Sequence, residues 1–243
     1  MQETNRASAV IIIPTYNERD NLAKLTQQIL KLGAGLDILV VDDNSPDGTG
    51  KLADDLAMEL PSVSVIHRAG KLGYGSAVIE GFRAAIKKEY AWILQMDADL
   101  SHDPSSIPAM LKAAEECDVV IGSRFIGGLR VVDWEVSRVL LSCFANRYAQ
   151  TITGLPLHDI TTGFRCYRGS VLRSFDFNRI KTNGYGFLIE MAYRLWKSGA
   201  RLSEVPIIFY GRQRGKSKIS NGMIFEAAFL VWRLRLSSVF ARS

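Results

Sequence analysis

Asp97 and Asp99 stand one residue apart at the end of an uncharged run, Ala91-Trp92-Ile93-Leu94-Gln95-Met96. Paired carboxylates closing a buried strand are hard oxygen donors suited to a divalent cation, and a cation held there most often serves a diphosphate. A second acidic pair, Asp42-Asp43, closes another apolar run. It is also what a phospho-accepting receiver domain carries at a strand end, but such a domain is far shorter and leaves the chain from about Phe125 onward without a purpose. Other phosphate-binding patterns fail. Where a dinucleotide fold needs GxGxxG after its first strand, this chain has Pro14-Thr15-Tyr16-Asn17-Glu18. Gly215-Lys216-Ser217 lacks a P-loop's leading glycine, since Tyr210 stands in its place. Gly73-Tyr74-Gly75 reads as a helix-entry turn.

The elements that must position these acids alternate in type. Ala9 to Pro14, Asp37 to Asp42, Ser62 to His67, Ala91 to Met96 and Cys117 to Gly122 read as short buried strands. Helical periodicity fills the segments near 20–32, 48–60, 74–88 and 104–115, the last opened by Asp103-Pro104. This is the pattern of an α/β fold built on a mainly parallel, doubly wound sheet with flanking helices. Ligands of such sheets sit beyond the carboxyl ends of the strands. Pro14 to Glu18, Asp42 to Ser45, Asp97 to Asp99 and Gly122 to Arg124 all fall on that rim. Further along, a helix is expected from Trp134 to about Thr151, then a turn-rich stretch, a helix near Phe187 to Ser198 and a strand near Ser203 to Tyr210. The basic loop Gly211 to Lys218 precedes a final helix. The expected organisation is a single domain over 1–218 and a C-terminal helix over 219–243.

Composition limits the function classes. The 243 residues suffice for one sizeable core, and the net charge is +5. From Arg201 onward eight basic residues (Arg201, Arg212, Arg214, Lys216, Lys218, Arg233, Arg235 and Arg242) meet only Glu204 and Glu226, so the positive charge belongs to the C-terminal part. That asymmetry suits phosphate groups or an anionic membrane surface. Nucleic acid is set aside, because no binding motif accompanies the charge. Cys117, Cys143 and Cys166 are widely spaced and read as reduced structural thiols. The polar N-terminus lacks the marks of a signal peptide, and no stretch approaches the roughly 20 apolar residues that span a bilayer. A peripheral protein on the cytosolic face of a membrane is expected.

Taken in order, Pro14-Thr15-Tyr16-Asn17-Glu18, Val41-Asp42-Asp43-Asn44-Ser45-Pro46-Asp47-Gly48-Thr49, Asp97-Ala98-Asp99-Leu100-Ser101-His102 and Gly122-Ser123-Arg124 resemble the signatures of inverting family 2 glycosyltransferases with a GT-A fold. Thr162-Gly163-Phe164-Arg165, Glu204-Val205-Pro206-Ile207 and Gly215-Lys216-Ser217-Lys218 narrow the resemblance to dolichol-phosphate mannosyltransferases. It covers nearly the whole chain.

The resemblance implies transfer of mannose from GDP-α-mannose to dolichyl or another polyprenyl phosphate, with Mg²⁺ or Mn²⁺ on Asp97 and Asp99. Pro14, Tyr16 and Glu18 would floor the nucleoside pocket, with Asp43 accepting from a base or ribose hydroxyl and Val41 adding its backbone. Asp42 is left to turn chemistry. Ala98 would line the donor site. Ser101 stands where some relatives carry Gln, and a hydroxyl can ligate or hold a metal-bound water. A lipid monophosphate carries roughly −1.5 to −2 charge near neutral pH, so it can attack without a general base. Cations must instead hold two anions together. Arg124, Arg138 and Arg212 are the candidates for the acceptor phosphate, Arg124 and Arg212 also for the donor, and Lys218 for the donor diphosphate. His102 is read as a packing or turn residue.

In the last helix Phe225, Phe229, Trp232, Leu236 and Phe240 recur at helical spacing among basic residues. Two readings stand: a helix lying in the lipid interface, or one packed on the core. Relatives with transmembrane anchors carry them beyond this point, so an anchoring subunit is a candidate partner. The rival functions are the same chemistry with another donor, such as UDP-glucose, and a nucleotide-sugar-binding subunit without activity.

Overall fold

A computed structural model describes residues 8–211 and 221–240, without the side chains of residues 185, 221–227 and 238–240. Its first half runs β1 (Ala9–Thr15), α1 (Arg19–Leu30), β2 (Leu36–Asp42), α2 (Thr49–Glu59), β3 (Val63–His67), α3 (Tyr74–Lys87), β4 (Trp92–Gln95), α4 (Ile107–Glu116) and β5 (Val119–Ser123). There follow β6 (Val131–Val132), α5 (Val136–Thr153), β7 (Arg165–Arg168), α6 (Gly169–Ser174), α7 (Tyr185–Lys197), β8 (Leu202–Pro206), β9 (Phe209–Tyr210) and α8 (Asn221–Phe240).

Strand alternation sets the layers. Val10, Ile12, Leu39 and Val41 enter a core with α3, α7 and α8, while Ile11, Ile13, Ile38 and Val40 enter another with α1, α2 and α4. Strands apolar on both faces require helices on both sides. The seven-stranded sheet has the order β3-β2-β1-β4-β7-β5-β8. Every neighbouring pair is parallel except those of β7, which runs antiparallel to β4 and β5. The chain winds from β1 out to β3 and then crosses to β4 on the other side of β1, so the carboxyl ends of β1 and β4 flank the switch point where such sheets bind ligands.

The five early strands and their helices lie where the sequence places them. β7 was not legible: it is four residues bounded by arginines, and Arg165 is fully buried by donating to the carbonyls of Ile160, Thr162 and Leu188. The strand expected over 203–210 is divided. β8 ends at Pro206, and β9 pairs with β6 in a small second sheet.

Local geometry opens the crevice. Ile12 O accepts from Met96 N and Thr15 O accepts from Asp43 N, so by strand alternation Pro14 faces the β4 side, where pairing has already ended at Gln95. The missing proline amide costs the ladder nothing there. Asn17 and Asn44 turn the chain just past β1 and β2 at φ 59° and 58°, a conformation asparagine tolerates.

α8 differs from a helix with one apolar stripe. Leu230, Val231 and Leu234 are buried against the body, while Phe229, Trp232 and Leu236 are exposed on another side. α5 likewise exposes Val136, Leu140, Leu141 and Phe144. Among the described residues no helix is long and apolar enough to cross a membrane.

Candidate active site

A cavity of about 740 Å³ opens at the strand ends. Pro14, Tyr16, Glu18 and Asp43 line it, as do Asp97, Ala98 and Asp99, then Arg124, Trp134 and Arg138. From there its wall continues through Leu141, Phe144 and Tyr148 of α5, Leu188 of α7, and Ala228 and Val231 of α8. Residues as far apart in sequence as Pro14 and Val231 are thus brought to one space, polar in one part and apolar in the other.

Asp97 and Asp99 are each held by neighbouring groups. Asp97 Oδ1 accepts from Tyr74 Oη at 2.9 Å, and its backbone amide donates to His102 Nδ1 at 3.4 Å. Asp99 Oδ1 accepts from the amide of Ser101 at 3.1 Å, closing a tight turn in which Leu100 takes φ 60°. That left-handed conformation at a bulky residue is strained, and such strain gathers at functional sites. Burial, reinforced by the charge of Asp97, pushes the Tyr74 phenol well above its ordinary value, so it stays a donor. Burial lowers His102 more than the neighbouring acids raise it, leaving a neutral imidazole. That agrees with Nδ1 accepting, and the ring is packed against Phe164 and Phe209, as expected of a packing residue.

Two carboxylates at the floor of a cavity fit a divalent cation that takes its other ligands from phosphate and water. Among the described residues no group of three or more His, Cys, Asp or Glu forms a closed protein site, so any cation here needs a ligand to complete its shell. Ser101 falls outside the lining; its Oγ is buried without a hydrogen-bond partner among the described residues.

The two acids at β2 have different surroundings. Asp42 accepts from Thr15 Oγ1 at 3.0 Å and from the amide and hydroxyl of Ser45. Asp43 faces the cavity, with Oδ1 bound by Arg68 and Oδ2 accepting from Gly73 N at 2.8 Å. Arg68 is itself fixed by Glu80 and Ser76. Val41 requires a correction: it does not line the cavity, because its side chain lies in the core and its main chain is paired in register with Pro14 and Ile66. Tyr16 lies under the ammonium of Lys71, 4.2 Å from the ring centre.

On the cationic side, Arg124 is pinned to Asp159 and also donates to Thr161 Oγ1. Burial pushes Asp159 up, but the charge and hydrogen bonds of Arg124 outweigh it and leave the carboxyl below its usual range. Glu204 in turn accepts from the amides of His158 and Asp159, which gives the Glu204-Val205-Pro206-Ile207 motif a positioning role. The Arg138 guanidinium lies 4.1 Å above the Trp134 ring, which also faces Arg124. Arg212 and Lys218 lie outside the described residues. Phe187 is core and Glu190 caps the turn before α7 through Lys181 N and Thr182 N.

Sequence reasoning missed Arg68, Lys71, Tyr74 and Asp159. Only Tyr74 carried a signal, in Gly73-Tyr74-Gly75 at the mouth of a helix. The others reach the site from loops whose partners lie far off in sequence.

Comparison with known proteins shows the family and the fold. The glycosyl transferase family 2 domain matches residues 10–175. An undecaprenyl-phosphate mannosyltransferase of Micrococcus luteus is 44% identical over 93% of this chain and 93% of its own length. A polyprenol monophosphomannose synthase of Mycolicibacterium smegmatis is 42% identical over 93% of this chain and 87% of its own. The dolichol-phosphate mannosyltransferase of Pyrococcus furiosus is 38% identical, and there this chain covers 62% of the relative. Among solved structures, glucosyl-3-phosphoglycerate synthase of Mycobacterium tuberculosis, with Mn²⁺, UDP and phosphoglyceric acid, superposes with TM-score 0.67 at 16% identity, covering 97% of this chain and 79% of that one. A mannosyltransferase of Pyrobaculum calidifontis with GDP-Man and Mn²⁺ gives 0.60 at 15%, covering 98% and 75%. The fold is that of GT-A glycosyltransferases, and the chain belongs to glycosyl transferase family 2.

Proposed function

We propose that this chain transfers mannose from GDP-α-mannose to dolichyl or another polyprenyl phosphate, inverting the sugar to the β-linked product, with Mg²⁺ or Mn²⁺ held by Asp97 and Asp99. One observation carries the reading: a single cavity joins the acid pair and two arginines to an apolar wall built from α5, α7 and α8. An acceptor that is a phosphate on a hydrocarbon chain has both characters. The curated relatives named for polyprenyl-phosphate mannosyl transfer support it.

In this reading Pro14, Tyr16, Glu18 and Asp43 seat the nucleoside, with Arg68 holding the Asp43 carboxylate in place. When bound, the cation supplies positive charge to the departing diphosphate. Arg124 and Arg138 receive the acceptor phosphate, aided by Arg212, while Lys218 reaches the donor. The acceptor arrives already anionic, so the site needs no base. His102 is consistent with that, because its Nδ1 is committed to the Asp97 amide. Exposed apolar rows on α5 and α8, the same helices that wall the apolar part of the cavity, suit a peripheral seat on a bilayer.

The test is to incubate the protein with radiolabelled GDP-mannose or UDP-glucose, with and without polyprenyl phosphate, in Mg²⁺, Mn²⁺ or chelator. Mannolipid formed only with GDP-mannose, acceptor and metal supports the proposal. Transfer from UDP-glucose alone refutes the donor, undiminished turnover in chelator refutes the metal, and absence of turnover in every arm favours a binding subunit.

A further inference from the structure

From Asp97 a chain of polar groups that the reaction as proposed does not use runs through Tyr74, at the cavity wall, into the buried interior. Gln95, the last residue of β4, is fully buried in an otherwise apolar strand. Its Nε2 donates to Tyr74 Oη at 2.7 Å, and Tyr74 Oη donates to Asp97 Oδ1 at 2.9 Å. The phenol has one proton; accepting from Gln95 leaves that proton for Asp97. Tyr167 Oη, on β7, donates to Gln95 Oε1 at 3.4 Å, which orients the amide. The direction of every hydrogen bond is therefore set from β7 through β4 and α3 to the carboxylate.

Gly163 makes room for the end of this chain. A Cβ there would stand 2.6 Å from Tyr74 Oη and 2.8 Å from Asp97 Oδ1. Three segments distant in sequence thus meet around one carboxylate oxygen, and a buried glutamine is retained at a position where an apolar residue would pack without a polar partner to satisfy.

We propose that Tyr74, oriented by Gln95 and Tyr167, is a positioning residue that holds one oxygen of Asp97 so that the carboxylate presents a fixed geometry to the cation. The inference rests on the reading of Asp97 as a metal ligand. Partners that orient a ligating carboxylate typically matter about 10–100-fold in metal affinity.

The experiment measures the affinity of GDP, with UDP in parallel, by isothermal titration in saturating Mn²⁺ and again in chelator. Wild type, Tyr74→Phe and Gln95→Met are compared, with thermal melting as a check on folding. In the wild type Mn²⁺ should tighten the nucleotide; if it does so for neither nucleotide, the metal reading itself fails. Given that tightening, Tyr74→Phe should lose it by about 10-fold or more and need more Mn²⁺ to saturate, while its binding in chelator matches wild type. Gln95→Met should fall in the same direction, and it carries the test if Tyr74→Phe does not fold. Mn²⁺ dependence equal to wild type in either folded variant, or an equal loss with and without metal, overturns the positioning role.

Discussion

The carboxylate of Asp159 grips the guanidinium of Arg124 through two hydrogen bonds, Nε to Oδ2 at 2.6 Å and a terminal nitrogen to Oδ1 at 2.7 Å. Asp159 is fully buried and Arg124 nearly so, yet Arg124 lines the cavity. The pair fixes a cation at the wall of the site and offsets part of its charge, which leaves room for an anion to bind and also to leave. Because Asp159 is fully buried and Arg124 nearly so, Asp159→Asn should destabilise the fold by about 3–5 kcal/mol, read as a lower melting temperature. An unchanged melting temperature would mean that Arg124 finds another partner.

The same pair sets an acid limit. Asp159 titrates below its unfolded value of about 3.9, so its contribution is fully present above that pH and is lost as pH falls through the lower folded value. Wild type should therefore lose stability steeply below about pH 4, and Asp159→Asn should show a shallower acid slope in denaturant titrations. Parallel slopes would contradict the assignment.

Asp97→Asn and Asp99→Asn should each lower metal-dependent transfer by at least about 100-fold, the equivalent of roughly 3 kcal/mol of lost charge stabilisation. Melting temperature should stay close to wild type. Near-normal turnover in either variant removes the metal from the proposed mechanism.

Arg138→Ala should raise the KM for polyprenyl phosphate by about 10-fold and leave that for GDP-mannose nearly unchanged, as expected for one lost charge-assisted contact. Trp134 holds the same guanidinium from behind. Equal weakening of both substrates would remove Arg138 from the acceptor side.

Replacing exposed Phe229, Trp232 and Leu236 by serine should cut binding to anionic liposomes by more than about 100-fold with little change in melting temperature, because each buried side chain of a lipid-bound helix contributes about 1.5–3 kcal/mol. Substituting Leu230, Val231 or Leu234 should instead unfold the helix from the body. If the first set lowers the melting temperature while vesicle binding persists, that face is packed rather than free.

Much of this was legible in one dimension. Asp97 and Asp99 announce themselves because a β-strand runs only a few residues and carboxylates at its end have nowhere to hide, and Asn44-Ser45-Pro46 marks the turn that claims Asp42. β7 escaped because its apolar signal is two residues, Cys166 and Tyr167, between arginines, one of which is satisfied by carbonyls of the turn before it and of α7. Arg68 and Asp159 escaped for a related reason. Each is a lone charged residue in a loop, and its partner lies 25 or 35 positions away. Val41 was misplaced because a strand-end motif does not reveal which of its residues still belong to the ladder. α8 was read as a single stripe, but a helix apolar on two sides carries too little periodicity for either face to stand out.

Pro14, next to last in β1, has no amide hydrogen on the side where pairing with β4 has ended. Any other residue there would leave a donor pointing into the crevice, ready to zip onto a passing carbonyl or to trap a water. Proline acts as a stop on that zipper. The two strands part beside a group that cannot bond across the gap, so a guest bound there supplies its own contacts.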